Sequence, residues 1–576
     1  MPFYELKQKA AHQIAASLQH PEITAESIFQ EAGTPPNPAM GQIALPCFRL
    51  SKTLKKSPNE IAKLLSEKLT NDTLTVTAAG PYANFKWNCR ELYTTTLTKI
   101  FQEQSRYGSD KSGDGKRVIM EYCSPNIAKM LAFHHIRSTL IGNTLANVYD
   151  FLGYQTERIN FVGDWGTQFA RLLAAFEAWG DPNKISLKDV PGSMAHLSEI
   201  YVRFHKDIEQ HPERLETANQ CLMKLERGET QATELWQKVR DVSLAAMQST
   251  LKRMSVTFNH VEGESTYIPK IDQMLKEVKE KAQAKLSEGA WIVEVEGFST
   301  PALVQKRDGT TLYLTRDIAA AVDRAKRFQF DKMFYVVSEQ QKLHFQLLFG
   351  VLKKMGYAWA DHCEHLSFGT VLFGSEKMST REGRVVLLSD ILDQAKALAL
   401  VECTQKNPNL ANKEEVAEQV GISAIVFGEL SSHRNRDIEF DFKSILSLEG
   451  DTGPYVQYAV VRCHSLLNKA KEKSEIPTTI GNVSDYEFAP EEEGLIVCLA
   501  KFRNTLKQVI RENEPYHLTF FLLDLAKSFN RFYYRFPVLQ ASDETQRQVR
   551  LNLVRATLQT LENGLGLLGI SCPNEM

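Results

Sequence analysis

Residues 117–162, RVIMEYCSPNIAKMLAFHHIRSTLIGNTLANVYDFLGYQTERINFV, predict the fold of this chain. The short apolar run at 117–122 is typical of a buried strand, and Ser124-Pro125-Asn126 is typical of a turn. Apolar residues then recur at helical spacing from Ile136 to Leu152, and a second strand is predicted at 156–162. This βαβ pattern predicts a Rossmann-like parallel sheet. In such a sheet, ligands collect at the carboxyl ends of the strands and at the amino end of the helix.

The sequence on either side of this unit predicts further domains. Before it, helical patterns alternate with strand-like runs at 74–78 and 82–87, and a polar, Gly-rich linker follows at 107–115. After it, residues 165–290 are predicted to be mainly amphipathic helix, and strand-like segments return at 291–295 and 332–337. The last part is predicted to be a helix bundle, with helices at 455–471, 491–512, 515–536 and 543–568.

The predicted fold class is therefore multidomain α/β. An α+β amino-terminal domain covers residues 1–112, a Rossmann-like parallel-sheet catalytic domain with helical insertions covers 113–448, and an all-α carboxy-terminal bundle covers 449–576.

Composition excludes several classes of protein. The 68 basic and 70 acidic residues nearly balance, so the chain is not a polycation that wraps nucleic acid nonspecifically, and contact with RNA must come from local faces. The nine cysteines form no CxxC pair of the kind found in zinc or redox sites, and free thiols indicate a reducing compartment. Neither a signal peptide nor an uncharged run long enough for a bilayer is recognisable. We therefore expect a cytoplasmic protein without a membrane partner.

Two segments carry chemistry-bearing side chains. The first places Glu121, Lys129, His134 and His135 on one strand-to-helix turn, where the helix amino terminus and the basic groups favour phosphate. The alternative is that the two histidines only begin a helix and are solvated.

The second segment is a small-residue loop, FGSEKMSTREG at 373–383, that carries Lys377. A flexible loop with cations suits a triphosphate whose charge is neutralised as a reaction proceeds. Taken alone, this loop is equally compatible with a solvated turn.

Together the two segments resemble the paired signatures of class I aminoacyl-tRNA synthetases, written HIGH and KMSKS. Further segments are similar to arginyl-tRNA synthetases and occur in that family's order: SPNIAK at 124–129, GDWGTQF at 163–169, YLTRDIAA at 313–320, Gln341 with His344, EGDTGPYVQY at 449–458 and FNRFY at 529–533. Six ordered matches are far more specific than any one of them.

The resemblance implies an arginine pocket made by Glu121, Asn126, Tyr313, Asp317 and Gln341. A guanidinium is planar and offers five donors, so a selective pocket needs carboxylate and amide oxygens that meet it as a fork. By resemblance, Asn126 and Glu121 hold the amino-acid end, and Glu121 pairs with the α-ammonium. The alternative for Tyr313 and Asp317 is a plain helix start with an acidic residue near its positive end.

The implied reaction has two steps: arginine attacks the α-phosphate of ATP, and the adenylate is then attacked by the tRNA terminal ribose. Lys129, His135 and Lys377 are the predicted catalytic residues, and they act by positioning and charge stabilisation. The residues predicted to contact ATP are His134, His135, Lys377, Met378, Ser379 and Thr380. ATP arrives with Mg²⁺ as a substrate complex, and we expect neither a tightly bound cofactor nor a metal site of the protein's own.

The first signature departs from the family. The usual pattern is His-x-Gly-His, and alignment on Lys129 and Arg137 places Ala132 at the first histidine, His134 at the glycine and His135 at the second histidine. Of these three positions, only the second histidine is kept, as His135. An active enzyme with a variant signature is the favoured interpretation.

Both ends of the chain resemble RNA-binding parts of the same family. The amino-terminal domain resembles the part that contacts the tRNA D-loop, with Asn84 and Phe85 offering an amide edge and a stacking face to a base. The alternative is that Phe85 is core and Asn84 a turn residue. In the helical end, which resembles the anticodon-binding bundle, Tyr533 is predicted to stack on a nucleotide. Met576 would be unusual core material, so contact with RNA is predicted there too.

The predicted function is ATP-dependent ligation of L-arginine to the 3′ end of tRNA(Arg) by a monomeric enzyme. The main alternative is a paralogue with another acceptor or without charging activity, because of the irregular first signature. Further alternatives are a noncatalytic RNA-binding protein, which the pocket residues disfavour, and a plain nucleotidyltransferase, which would lack the carboxy-terminal bundle.

Overall fold

The computed structural model describes all residues except 1, 34, 36–39, 308, 374–375, 378–385, 448, 474–475, 478 and 542. Its amino-terminal part contains five helices and three strands: α1 (Pro2–Leu18), α2 (Ala25–Glu31), β1 (Ile43–Pro46), α3 (Phe48–Leu54), α4 (Pro58–Leu69), β2 (Leu74–Ala79), β3 (Tyr82–Trp87) and α5 (Cys89–Glu103). The strands form an antiparallel sheet in the order β1-β3-β2, which confirms the two predicted strands and adds β1. Ser57 and Glu60 begin α4 with a capping box.

The middle of the chain alternates strands and helices. These elements are β4 (Arg117–Glu121), α6 (Ile136–Phe151), β5 (Gln155–Val162), α7 (Thr167–Trp179), α8 (Val190–Gln210), α9 (Arg214–Glu226), α10 (Thr230–Arg253), β6 (His260–Gly263), α11 (Ile271–Lys281), β7 (Lys285–Ser287), β8 (Ala290–Val293), β9 (Ala302–Gln305), α12 (Tyr313–Phe328), β10 (Lys332–Ser338), α13 (Lys342–Lys354), β11 (Cys363–Phe368), β12 (Val371–Phe373), β13 (Glu376–Lys377), α14 (Leu388–Lys406), α15 (Lys413–Leu430), β14 (Ile438–Glu439) and α16 (Phe442–Leu446). Short 3-10 turns occur at Gln104–Arg106, Phe133–His135, Pro182–Lys184, Glu264–Lys270, Glu339–Gln341 and Ala358–His362.

A five-stranded parallel sheet in the order β11-β10-β4-β5-β6 lies at the centre. Strand β4 shows why the sequence folds this way, because its side chains alternate between two buried faces. Val118 and Met120 pack into the core that continues to both termini, whereas Ile119 packs into a second core with α11, α12 and α13. Both faces are covered, as parallel sheets require. The predicted βαβ unit and the Rossmann-like class are confirmed.

The two edge strands of this sheet, β6 and β11, are not predicted by the sequence pattern. Residues 165–290 were predicted to be mainly helical, and α7 to α10 confirm that prediction up to Arg253, but β6 then pairs with β5 from Ile159↔His260 to Val162↔Gly263. Strand β6 has four residues and lies at the sheet edge, so His260-Val-Glu-Gly263 carries neither a long apolar run nor a clear alternation.

In the described residues of the carboxy-terminal part, the regular elements are all helices. Its helices are α17 (Gly453–Glu472), α18 (Pro490–Ala500), α19 (Phe502–Glu512), α20 (Tyr516–Arg535) and α21 (Glu544–Leu567). The predicted single helix at 491–512 is therefore wrong. It is two helices, because Lys501 donates its N–H to the Cys498 carbonyl at 3.0 Å and interrupts the regular helical repeat. The bundle packs against the first domain, where Tyr107 Oη donates to the Leu499 carbonyl at 2.8 Å.

Candidate active site

The turn after β4 is held in an unusual backbone conformation. Cys123 and Ser124 have φ angles of 70° and 44°, a left-handed region that non-glycine residues rarely adopt. The Cys123 N–H donates to Ser138 Oγ at 2.9 Å, and the Ser124 N–H donates to Asn160 Oδ1 at 3.1 Å. Buried side chains from α6 and β5 thus hold the turn. Such strain, maintained by its surroundings, is typical of functional sites.

The same turn places Asn126 against the end of β5. Gly163 donates its N–H to the Pro125 carbonyl at 2.9 Å, and Ile127 donates to the Gly163 carbonyl at 3.2 Å. A Cβ atom at Gly163 would lie 3.3 Å from Asn126 Cα, so glycine allows this close approach. Asn126 Oδ1 accepts a hydrogen bond from the Ala128 N–H at 3.0 Å. Asn126 is therefore fixed at the carboxyl edge of the sheet.

A cavity of about 830 Å³ opens at this edge. It lies at the carboxyl ends of β4, β5 and β10, where an open parallel sheet is expected to bind its ligand. Seven of the predicted site residues line the cavity: Glu121, Asn126, His134, His135, Tyr313, Asp317 and Gln341.

One end of the cavity is built on the first turn of α12. Tyr313 begins this helix with 56% of its surface exposed, and Asp317 follows one turn later on the same face. Asp317 Oδ2 lies 2.6 Å from Nε2 of His344, which belongs to α13. This imidazole orients the carboxylate, and Gln341 lies just before α13 on the cavity wall.

Glu121 lies at the base of the cavity and is already paired with a protein cation. Its carboxylate forms an ion pair with Arg324, whose side chain is 1% exposed and whose Nε also lies 3.4 Å from Glu262 Oε2. Burial raises the pKa of Glu121 to about 7, although the charge of Arg324 opposes that rise. The predicted ammonium-binding carboxylate is therefore shared with Arg324. The sequence offered one signal for Arg324, which is its position seven residues after Asp317 on the same helix face.

A third cavity carboxylate, Glu264, was missed. It follows β6, the strand that the pattern did not reveal, and forms an ion pair with Arg316. Burial raises the pKa of Glu264 to about 7, against the opposing charge of Arg316. The Arg316 guanidinium lies 5.2 Å from the centre of the Tyr313 ring. The cavity thus holds three carboxylates, from Glu121, Glu264 and Asp317, and a cationic ligand would favour the ionised form of each.

The other end of the cavity is formed by the variant signature. His134 and His135 lie on the 3-10 turn before α6, with their ring centres 4.1 Å apart. His135 Nδ1 accepts from the Ala132 N–H at 3.2 Å. Burial and the neighbouring His134 lower the pKa of His135 to about 4, so this imidazole is neutral at pH 7. A neutral ring at this position can act through hydrogen bonds, and the role of His135 in charge stabilisation stays a prediction.

Arg137 joins the two signature regions. It is 1% exposed and lies on the first turn of α6. Its Nη1 donates to the Arg436 carbonyl at 2.7 Å and its Nη2 to the Arg434 carbonyl at 3.2 Å. Arg434 in turn accepts a hydrogen bond from Gly369, two residues before β12. The turn before α6 is thereby tied to the hairpin that leads into the second signature.

Of the predicted catalytic lysines, Lys129 is not among the described residues that line the cavity. Lys129 points towards the helical region, with its Nζ 5.0 Å above the centre of the Tyr201 ring in α8. The backbone of Lys377 belongs to β13, where it pairs with Leu372 of β12. Met378, Ser379 and Thr380 lie outside the described residues.

The amino-terminal RNA prediction is corrected in part. Phe85 is fully buried in the domain core, so its ring is not available to stack on a base. Asn84 points to the opposite sheet face and is 3% exposed. On that face lies Tyr82, which is 42% exposed and packs edge-on against Phe48 at 5.9 Å. The exposed aromatic of this strand is therefore Tyr82, which alternation within β3 could have shown.

The carboxy-terminal bundle carries an aromatic cluster around one arginine. The Arg462 guanidinium lies 4.4 Å from the Tyr458 ring centre, 5.4 Å from Tyr533 and 5.0 Å from Tyr534. Tyr533 is partly buried, whereas Tyr534 is 72% exposed. Met576 packs partly against the small core between α14 and α15, so it contributes to core packing after all.

Within the part of the chain that the structure describes, no helix is both long and apolar enough to cross a membrane.

Comparisons with known proteins follow the same three-part division. The catalytic domain model of class I (R) tRNA synthetases matches residues 96–442, the DALR anticodon-binding domain matches 456–576, and the arginyl-tRNA synthetase amino-terminal domain matches 5–87.

Relatives align along nearly the whole chain. The arginine–tRNA ligase of Clostridioides difficile is 42% identical over 560 residues, which cover 96% of this chain and 97% of the relative. That of Clostridium kluyveri is 39% identical and covers 99% and 100%. The arginyl-tRNA synthetase of Thermus thermophilus has a similar structure, with a TM-score of 0.81, 25% identity and 99% of each chain covered.

Proposed function

This chain belongs to the class I arginyl-tRNA synthetases, an aminoacyl-tRNA ligase family, and we propose that it charges tRNA(Arg) through the cavity at the carboxyl edge of its central sheet. L-arginine and ATP, the latter as its Mg²⁺ complex, are the small substrates, and the tRNA terminal ribose is the acceptor. The alternative of a paralogue that has lost charging is not favoured, because relatives of this activity align over nearly the full chain.

The observation that carries this proposal is the set of three carboxylates in one cavity. Asp317, Glu264 and Glu121 contribute three negative charges, and the paired Arg316 and Arg324 contribute two positive charges. With the ionised carboxylates, the cavity retains one uncompensated negative charge, which matches the net positive charge of arginine. A neutral or acidic amino acid would leave that charge unpaired.

Within this cavity, Asp317 and Glu264 receive the guanidinium, and Tyr313 and Gln341 border it. Asn126 and Glu121 hold the amino-acid end. The ammonium group of lysine is a compact point charge. It would leave unpaired some of the carboxylate and amide oxygens that accept hydrogen bonds from a guanidinium. Sites built on such polar contacts discriminate by roughly 10⁴- to 10⁵-fold, so we expect lysine to be a very poor substrate.

The first step forms a bond between an arginine carboxylate oxygen and the α-phosphorus, and pyrophosphate leaves. In the second step, a tRNA ribose hydroxyl attacks the activated carbonyl and AMP leaves. Neither step requires a protein nucleophile. His134 and His135 border the nucleotide as neutral donors and acceptors, and Lys129 and Lys377, with the loop residues Met378, Ser379 and Thr380, approach the phosphates.

We propose the domain boundaries 1–112, 113–448 and 449–576. The turn at 107–115 lies between α5 and β4, and α17 begins at Gly453, which supports both boundaries. The first domain contacts the tRNA D-loop through the exposed Tyr82, which lies on the same sheet face as the buried Asn84. The last domain contacts the anticodon loop through the Tyr533–Arg462–Tyr534 cluster, whose exposed aromatic face suits an unpaired base.

We place the enzyme in the cytoplasm and propose that it acts as a monomer. All nine cysteines are free thiols, which fits a reducing compartment. Light scattering of the purified protein tests the oligomeric state, since one chain has a mass of 65.2 kDa.

Aminoacylation with labelled arginine tests the function. Wild-type protein and its own tRNA should form arginyl-tRNA, and lysine should give no product above background. Lys377→Ala should lower the rate of charging without changing the fold. Pyrophosphate exchange, run with and without tRNA, shows whether activation itself needs tRNA. Failure of clean wild-type protein to charge its tRNA would overturn the proposal.

A further inference from the structure

A group of basic side chains lies beside the cavity, where the helical region meets the turn after β4. Lys129 comes from that turn, Arg171 from α7 and His205 from α8. All three surround Tyr201, a buried residue of α8. The Lys129 Nζ lies 5.0 Å from the centre of the Tyr201 ring, and the His205 ring centre lies 4.5 Å from it.

Arg171 approaches the same tyrosine from the neighbouring helix. Tyr201 Oη donates to Gln168 Oε1 at 3.2 Å, and Arg171 follows Gln168 by three residues, which is almost one helical turn. The charge of Arg171 opposes the rise that burial causes in the Tyr201 pKa. The Arg171 guanidinium therefore belongs to the cluster that surrounds Tyr201.

The charges of these basic groups act on each other. Burial, and then the charge of Arg171, lower the pKa of Lys129, and burial, Arg171 and Lys129 lower the pKa of His205. No acidic residue is among the causes of either shift. Among the described side chains, Arg171 Nε and His205 Nε2 are buried without a hydrogen-bond partner.

Several other cations of the helical region are paired with carboxylates. Arg214 lies 2.8 Å from Asp207, Lys224 lies 3.0 Å from Glu177, and Arg240 lies 3.0 Å from Asp164. The neighbouring positive charges of Lys129 and Arg171 and the unpartnered buried nitrogens of Arg171 and His205 are costly, and an anion with several acceptor oxygens would relieve both costs. Phosphate provides that chemistry.

The cluster is also connected to the variant signature. The charge of Lys129 lowers the pKa of His134, after the larger effect of burial, and His134 lines the cavity. The position where the family has its first histidine holds Ala132, which is buried and has no side-chain donor. The basic side chains of the helical region can thus supply the phosphate donor that an alanine at position 132 does not provide.

We infer that Lys129, Arg171 and His205 form a phosphate-binding subsite beside the cavity. This inference rests on the proposed function and adds two residues, Arg171 and His205, to its substrate-binding surface. The phosphate comes either from ATP or from the phosphodiester chain at the tRNA 3′ end, both of which must reach the same cavity. Arg171 is the main contact, because its planar fork binds two phosphate oxygens at once.

The test measures two Michaelis constants for the Arg171→Gln enzyme in complete charging reactions. If the subsite binds ATP, the KM for ATP rises about tenfold and the KM for tRNA is unchanged. If it binds the RNA chain, the KM for tRNA rises about tenfold. The slope of log tRNA affinity against log salt concentration should then also become shallower by about one, because one phosphate contact fewer releases about one counterion fewer. Arg171→Lys should restore part of the loss, since it returns the charge without the fork.

The matched control is Arg203→Gln. This arginine belongs to α8, but its guanidinium lies over the Trp179 ring at 4.4 Å, so both KM values should stay at the wild-type level. His205→Gln provides a second variant if Arg171→Gln fails to fold, and it should raise the same KM by a smaller factor. The KM for arginine should not change in either variant.

If the KM values for ATP and for tRNA are both unchanged in Arg171→Gln and in His205→Gln, the proposal of a phosphate-binding subsite is wrong. That outcome differs from a failure of the proposed function, in which the wild-type protein itself would not charge tRNA.

Discussion

Carboxylates form the end of the cavity that we propose for arginine, whereas imidazoles and backbone form the end that we propose for ATP. At the arginine end, Glu121 and Glu264 form ion pairs with Arg324 and Arg316, and Asp317 lies beside the His344 imidazole. At the ATP end, His135 is neutral and is fixed by the backbone of Ala132, and Lys129 turns towards Tyr201. The two ends therefore depend on different forces.

This difference explains where the chain departs from its family. Paired buried charges tolerate little change, because the loss of one partner leaves the other charged, buried and uncompensated. A turn held by burial and backbone hydrogen bonds accepts a new side chain more readily. The arginine end keeps all the residues that the family resemblance implied, and the changes at Ala132 and His134 lie at the ATP end.

The largest effect should come from Asp317→Asn. The amide keeps the shape of the side chain but removes the charge that meets the guanidinium, so kcat/KM for arginine should fall by about 10³-fold. Steady-state charging assays measure this change. Asp323→Asn on the same helix is the matched control, because Asp323 pairs with Lys270 2.7 Å away, outside the cavity lining, and should leave kcat/KM near the wild-type value. A retained kcat/KM in Asp317→Asn would contradict the assignment of the arginine end.

Arg324→Gln should lower the free energy of unfolding by about 3–5 kcal/mol, because it leaves the buried Glu121 without its cation. Arg327→Gln is the control. Its side chain is 38% exposed and also pairs with Glu262, so its loss should cost about 1 kcal/mol or less. Urea unfolding of both variants measures the difference. An equal loss of unfolding free energy in the two variants would show that burial of the Glu121–Arg324 pair does not make this pair more important for stability than an exposed one.

The low pKa of His135, at the ATP end, should affect how the free energy of unfolding depends on pH. The folded His135 has its pKa lowered to about 4, whereas the unfolded residue takes up a proton near 6.5. Between these values the unfolded state binds more protons, so the free energy of unfolding falls as the pH falls. We expect the stability of the wild type relative to His135→Asn to decrease by about 2 kcal/mol between pH 7 and pH 5.

Other groups titrate in this window but cancel in the comparison. The carboxyls of Glu121, Glu264 and Glu429 have pKa values raised to about 7 by burial, and they act in the opposite direction in both proteins. A wild-type-to-variant difference that does not change with pH would mean that His135 is not buried as a neutral ring.

His134→Gly should have the smallest effect. The substitution restores the family's usual residue on a turn that is held by its backbone, so the KM for ATP should change by no more than about threefold. Charging assays at varied ATP measure it, with His135→Asn as the comparison. Total loss of activity would show that His134 has acquired a role of its own at the ATP end.

The sequence was sufficient to predict most helices and strands, and seven of the predicted site residues line the cavity. The βαβ unit, the amino-terminal strands and the carboxy-terminal helices follow from apolar periodicity, which is a property of neighbouring residues. Asn126, Tyr313, Asp317 and Gln341 were found through family resemblance, and the structure brings them to one cavity. The edge strands β6 and β11 and the break at Lys501 were missed, because short edge strands and a one-residue interruption leave almost no periodic signal.

What the sequence determined by itself is the class of fold and the family, since periodicity and ordered motifs are properties of neighbouring residues. Only the tertiary structure decided which partners the side chains around the cavity have. Glu121 meets Arg324, Glu264 meets Arg316, and Lys129 meets Tyr201 rather than the cavity. Phe85 turns inward while Tyr82 remains exposed. The physical reason is that ion pairs and burial depend on how elements far apart in the sequence pack together. The spacing of residues within one motif does not determine that packing.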